Sequence, residues 1–188
     1  MNYKTLTPSA VFPVTLAFLK KQLRITDSIM DDYLTSLISA ASKSANDFTG
    51  RQFNRATMMA YSFYKGEYQY EVERGPVVEV TKVEFVGDDG VVISLIAGDF
   101  TVVLEELSAF VFITAVEKLT GVSRSRPDAV RITYTAGYDG AAGSLFPEDI
   151  INAVAMRAAR MYTNPDDAVD EKYSISDNLL RGYRCPIV

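Results

Sequence analysis

Apolar side chains recur along this chain at two different periods, and the changes of period divide it into three stretches. From Thr15 to Ile25, Leu16, Phe18, Leu19 and Leu23 fall at helical spacing behind Pro13, which predicts a short helix. A turn at Thr26-Asp27 follows, where either Asp27 or Ser28 paired with Asp31 can cap a second helix. That helix runs on Met30, Tyr33, Leu34, Leu37, Ile38, Ala41, Ala45 and Phe48. It ends at Gly50, where a glycine can take the left-handed conformation that closes many helices. Its other face, Ser36, Ser39, Lys43 and Asn46, is expected to meet solvent or a partner.

From about Met58 to Tyr134 the period falls to two. The strands this predicts are 58–64, 68–73, 78–86, 91–96, 100–105, 110–116 and 129–135, all rich in Val, Ile, Phe, Tyr and Thr. Gly87-Asp88-Asp89-Gly90 reads as a hairpin turn, and Gly75-Pro76 and Ala97-Gly98-Asp99 are further turns. Short consecutive strands with tight links imply an antiparallel sheet, closed as a small sandwich or a barrel. Helical spacing returns after the glycine-rich loop 137–143. Pro147 suits a first helical position, Glu148 and Asp149 suit the positive end of the helix dipole, and Ile150, Ile151, Val154, Ala158 and Met161 form a stripe. Asn164-Pro165 ends it. The expected fold class is therefore α+β: a helical hairpin and a C-terminal helix form an α core from residues 1–57 and 136–188, with an antiparallel β module, 58–135, inserted.

Composition narrows the chemistry. In 188 residues there is no histidine and one cysteine, Cys185, so His-based acid–base catalysis, His ligands and a cysteine-rich zinc site are all excluded. No catalytic, metal or cofactor residue is expected. No apolar run nears the ~20 residues that span a bilayer, and Thr5, Thr7, Pro8 and Ser9 interrupt any leader segment, so a cytoplasmic product with no membrane partner is expected. Net charge is −5, which disfavours a chain built to embrace DNA. The charge is uneven, with seven basic and four acidic residues in 1–57 against seven and twelve in 58–135.

Each feature that resembles a site has a plainer reading. Asp31-Asp32 opens a helix, while Asp88-Asp89 and Asp166-Asp167 fall in turns or loops. Loop 137–143 lacks the lysine and hydroxyl residue of a phosphate-binding loop and serves better as a connector. Arg124 and Arg126 make a short basic loop that is the candidate for DNA contact. Arg157 and Arg160, three apart on a helix, are candidates to pair with a neighbouring subunit or line a channel. Tyr61, Phe63, Tyr64, Tyr68 and Tyr70 suggest a carbohydrate platform, although their alternation fits sheet packing better.

The order of parts resembles the phage head–tail connector (adaptor) family, in the version with a β-rich middle. The residues that carry the resemblance begin with Thr15-Leu16-Ala17-Phe18-Leu19-Lys20, Leu23-Arg24-Ile25 and Asp31-Asp32-Tyr33-Leu34. Leu37-Ile38-Ser39-Ala40-Ala41 and Phe48-Thr49-Gly50-Arg51 complete the hairpin. Downstream stand Ile132-Thr133-Tyr134-Thr135-Ala136-Gly137-Tyr138, then Phe146-Pro147-Glu148-Asp149-Ile150 to Ala153, and finally Leu179-Leu180-Arg181-Gly182-Tyr183-Arg184. The resemblance implies a virion neck subunit, assembled in the host cytoplasm into a ring of about a dozen copies, a closed heterologous assembly. The implied partners are other copies of the chain, a portal protein, and a downstream neck or tail-completion protein, with DNA as passing cargo. Two other readings stay open: a DNA-binding packaging accessory, and a carbohydrate-binding tail protein.

For residues 163–178, acidic and poor in apolar groups, little structure is expected in the isolated subunit. Leu179, Leu180 and Tyr183 with Arg181 and Arg184 are then candidates to order against a neighbour or the portal, which would leave the melting transition nearly unchanged when residues 179–188 are deleted; the plainer alternative is that the tail folds back over its own helical core.

Overall fold

All seven strands expected between Met58 and Thr135 are present, and an eighth precedes the first helix. A computed structural model of the chain describes residues 1–164 and 174–185. In chain order the elements are β1 (Asn2–Thr7), α1 (Leu16–Leu23), α2 (Asp31–Thr49), β2 (Ala56–Ser62), β3 (Gln69–Val72), β4 (Val77–Val86) and β5 (Val92–Leu95). There follow β6 (Phe100–Leu104), β7 (Ala109–Ile113), a 3-10 turn at Val116–Leu119, β8 (Val130–Ala136), α3 (Glu148–Thr163), α4 (Ile175–Leu180) and a 3-10 turn at Arg181–Tyr183. The fold is α+β.

The strands make one compact unit, Met1–Pro8 with Arg55–Gly137. Its two antiparallel sheets run β1-β2-β8-β4-β5 and β3-β7-β6. Met58, Val83, Phe85, Ile132 and Tyr134 of the larger sheet share a core with Tyr70, Val72, Val111 and Ile113 of the smaller. The unit is thus a sandwich and not a barrel. Period-two patterning produces this directly: in β8, Val130, Ile132, Tyr134 and Ala136 are buried while Arg131, Thr133 and Thr135 are half-buried. Gly87 N donates to Val91 O at 2.9 Å and closes the expected β4–β5 hairpin.

The first strand changes the expected division. Residues 1–57 do not all belong to the helical part, because Met1–Pro8 enter the sandwich. β1 pairs antiparallel with β2, Tyr3 facing Ala60, and Tyr3 Oη accepts from Glu73 N at 3.0 Å. An edge strand pairs on one side and keeps most side chains in water, so it needs no apolar alternation. The sequence Asn2–Thr7 shows none.

The second unit joins Ser9–Asn54 to the described residues from Tyr138 on. Thr15 Oγ1 accepts from Phe18 N at 3.2 Å and caps α1. Neither expected cap serves α2: the N-cap residue is Met30, with no side-chain bond. Asp27 Oδ1 instead accepts from Ile29 N at 3.0 Å, and Asp31 pairs with Lys20 at 2.6 Å. Gly50 closes α2 with φ of +70°. Asn46, expected on the outer face, is buried, and its Oδ1 accepts from Phe53 N at 3.1 Å. Phe18 and Tyr33, expected in apolar stripes, are 43% and 41% exposed. α3 starts one residue later than expected, with Pro147 as its N-cap. α2 and α3 both turn small residues, Ala41 and Ala45 on one and Ala153, Ala155 and Ala158 on the other, into one core with Leu19, Leu34, Ile150 and Leu180.

Candidate assembly surfaces

The C-terminal segment is held by its own helical unit, which overturns the expectation of an unstructured tail from residue 174 on. Residues 165–173, with Asp166, Asp167, Asp170 and Glu171, lie outside the described residues. Ser174 Oγ accepts from Asp177 N at 3.1 Å and caps α4. Leu180 is fully buried in the helical core. Tyr183 meets Phe53 edge to face at 5.7 Å, and its carbonyl accepts from Arg51 Nε at 3.1 Å. Cys185 N donates to Thr49 O at 2.8 Å. Of the residues expected to anchor a partner, Leu180 and Tyr183 are therefore already engaged in this way.

Arg157 is likewise used within the chain. Its guanidinium donates to Ser44 Oγ at 2.8 Å and to Asp177 Oδ1 at 2.6 Å, and lies 5.0 Å from the Phe48 ring centroid. Arg184 lies 5.2 Å from the same ring. One aromatic of α2 thus collects a cation from α3 and another from beyond α4, a favourable arrangement with the π face. Arg181 and Arg184 stay exposed, while Arg160 and Leu179 are half-buried. Phe48, Met156, Arg157, Arg160, Ile175 and Asp177 help line a groove of about 730 Å³, and Asn164 and Ser174, which bracket residues 165–173, stand at it too.

The other candidates separate. Arg126 pairs with Asp128 at 3.2 Å, and Asp128 also binds Arg131 at 2.5 Å; these bonds, the one from Arg131 first, hold its carboxyl below the usual range. Arg124 is exposed, so the basic loop offers one uncommitted cation at most. Tyr64 and Tyr70 are buried, both edge-on to Phe85, and burial raises both phenols above their ordinary value. Phe63 and Tyr68 remain exposed. The five aromatics therefore do not form one platform, since the sheet core takes two of them. In loop 137–143, Asp139 Oδ1 accepts from Ala141 N at 3.0 Å and Gly140 N donates to Ser144 O at 3.1 Å, a self-bonded turn. Among the described residues no cluster of carboxylate or thiol groups could hold a metal, and no helix is long and apolar enough to cross a membrane.

Two surfaces went unread in the sequence. One is the small sheet's outer face, where Phe110 and Phe112 lie 6.3 Å apart. The other surrounds α1, where Phe18, Lys21 and Arg24 are exposed and Ile29 follows at 87% exposure. Phe110 and Phe112 stand two apart in the expected strand 110–116, a spacing that puts them on one face without telling which face meets the core.

Residues 13–78 match the family model of phage gp6-like head-tail connector proteins. The connector resemblance stands. The match takes in α1, α2, β2 and β3 and stops just inside β4. Solved structures extend the likeness in fold to the whole chain. A chain in the neck of an empty gene transfer agent particle, computed with C6 symmetry, is 19% identical with a TM-score of 0.76. A chain in the virion of the native gene transfer agent is 20% identical with a TM-score of 0.76, and one in the native neck, computed with C12 symmetry, is 21% identical at 0.69. Each comparison covers 100% of this chain and 97% of the other. No curated protein sequence matches.

Proposed function

We propose that this chain is a structural subunit of a virion neck, repeated in a closed ring between head and tail through which DNA passes. The observation that carries this reading is the coincidence of two likenesses. Connector-type sequence covers the helical hairpin, and a fold seen in gene transfer agent necks covers all of the chain. The chemistry is compatible: no histidine, and charges engaged in structure at Arg157, Arg126 and Asp128. The portal is the partner proposed on one side and a neck or tail-completion protein on the other. Arg160, Leu179, Arg181 and Arg184 are the proposed contact residues at the C-terminal end, with Leu180, Tyr183 and Arg157 supporting them from within.

A net charge of −5 suits a channel subunit that lets DNA pass without binding it tightly. The test is interruption of the reading frame in the particle that encodes it. DNA-filled heads without tails, restored by the chain supplied in trans, are expected. Tailed particles without the chain would end the reading. Sub-micromolar duplex binding at physiological salt would favour the packaging accessory instead.

A further inference from the structure

Arg24 closes α1 with φ of 59° and ψ of 35°, and among the described residues no other non-glycine has positive φ. A Cβ is disfavoured there and glycine is not, so this backbone carries a side chain that folding alone would replace. The guanidinium is exposed, and neither it nor the Lys21 ammonium has an ion-pair partner among the described residues. Phe18, Lys21 and Gln22 fall at i, i+3 and i+4 on one face of α1, with Phe18 and Lys21 exposed. The Asx turn at Asp27 then leads to Ile29, 87% exposed. The result is an apolar surface beside two cations, Lys21 and Arg24, unpaired among the described residues, with the Asp27 carboxylate turned to the Ile29 backbone between them.

The small sheet presents the complement. Registers Gln69↔Phe112↔Thr101 and Glu71↔Phe110↔Val103 put these six residues on one side, because Tyr70, Val72, Val111 and Ile113 alternate with them into the core. Phe110 and Phe112 are half-buried and Val103 is 47% exposed. Glu71 and, in the β6–β7 turn, Glu105 and Glu106 are exposed around them, with no cationic partner among the described residues. This face has apolar groups set among carboxylates.

We propose that the α1 surface of one copy (Phe18, Lys21, Arg24, Ile29) docks on the outer face of the small sheet (Glu71, Phe110, Phe112, Val103) of the next copy. The inference rests on the ring reading and names its interface. The two patches differ in charge, so the contact is heterologous and repeats from copy to copy, as a ring requires. Pairing like with like would oppose cations to cations. Complementary charge sets the register and the desolvated phenylalanines supply the adhesion.

Sedimentation velocity of the full chain across a concentration series tests this, with circular dichroism confirming that each variant folds. Lys21→Glu with Arg24→Glu removes one patch; Glu71→Gln with Phe110→Ser removes the other without creating a cation that could pair with the first. Each variant alone should associate at least about tenfold more weakly than the unaltered chain. Their equimolar mixture should form dimers and nothing larger, since one good patch survives on each. Association unchanged in both folded variants, or a mixture no different from its components, overturns this interface and leaves the ring reading standing. An unaltered chain that stays monomeric up to millimolar concentration counts against both.

Discussion

Arg157 shows how far a single residue can be read from its position on a helix. Three-residue spacing from Arg160 correctly gives its direction around α3, and from this it looks like a partner residue. What fills that direction is α4, arriving some twenty residues later to supply Ser176 and Asp177. With its side chain 10% exposed, Arg157 would leave Asp177 without its cation and the Phe48 ring with Arg184 alone if replaced. Arg157→Met is expected to cost about 2–3 kcal/mol, read as a lower denaturant midpoint at unchanged slope. Asp99 is a second residue the sequence hid inside a turn. Its carboxylate accepts from Lys118 Nζ at 2.7 Å and from Ile96 N at 2.9 Å, and these bonds, Lys118's first, hold its carboxyl below the ordinary value. A depressed folded value contributes stability above the unfolded pKa of about 4 and loses it as pH falls through the folded one. Asp99→Asn should therefore lower the melting temperature near neutrality and flatten its fall as the pH drops below about 4. An unchanged acid slope in thermal melts would show that Asp99 is not linked to folding.

At the scale of elements, strong periodicity was legible and weak periodicity was not. α2 and the strands β2 to β8 announce themselves because each turns regularly spaced apolar residues toward a core. β1 does not, being an edge strand of mostly exposed residues. α4 escaped for a different reason: six residues, Ile175–Leu180, are too few for a stripe, and the one that decides its place is Leu180. Apolar residues on a short terminal segment can serve a partner or the chain's own core, and sequence alone does not separate the two. Burial decides for the core. The expectation that removing residues 179–188 leaves the melting transition unchanged accordingly reverses. That truncation should lower the melting temperature by several degrees or more, and Leu180→Ala alone should cost about 3 kcal/mol through the cavity it leaves. Differential scanning calorimetry of both variants checks this. A truncation that melts like the full chain would mean that Leu180 adds nothing to the core it occupies.

For the whole molecule, the change of hydrophobic period located the two kinds of structure but misplaced where they exchange chain. The sandwich takes Met1–Pro8 before the helical unit begins, so each unit is assembled from two separate segments. Within each unit the cut ends are neighbours. In the sandwich Thr7 pairs with Thr57, which brings Pro8 close to Arg55. In the helical unit Tyr138 N donates to Phe53 O at 2.7 Å and Asn54 bridges to Tyr138. Short Gly/Ser linkers can therefore close both units at little entropic cost, since that cost grows slowly with loop length. Each also has its own buried core, one centred on Phe85, Ile132 and Tyr134, the other on Leu19, Leu34 and Ile150. Residues 1–8 linked to 55–137, and residues 9–54 linked to 138–188, should each fold cooperatively, the first with strand and the second with helical circular dichroism. A helical chain made instead from 1–57 linked to 136–188 carries β1 without its sandwich, exposes its unpaired edge, and should aggregate more readily. Equal solubility of the two helical chains would mean that β1 does not depend on the sandwich, and loss of cooperative melting in the first pair would mean that neither core suffices alone.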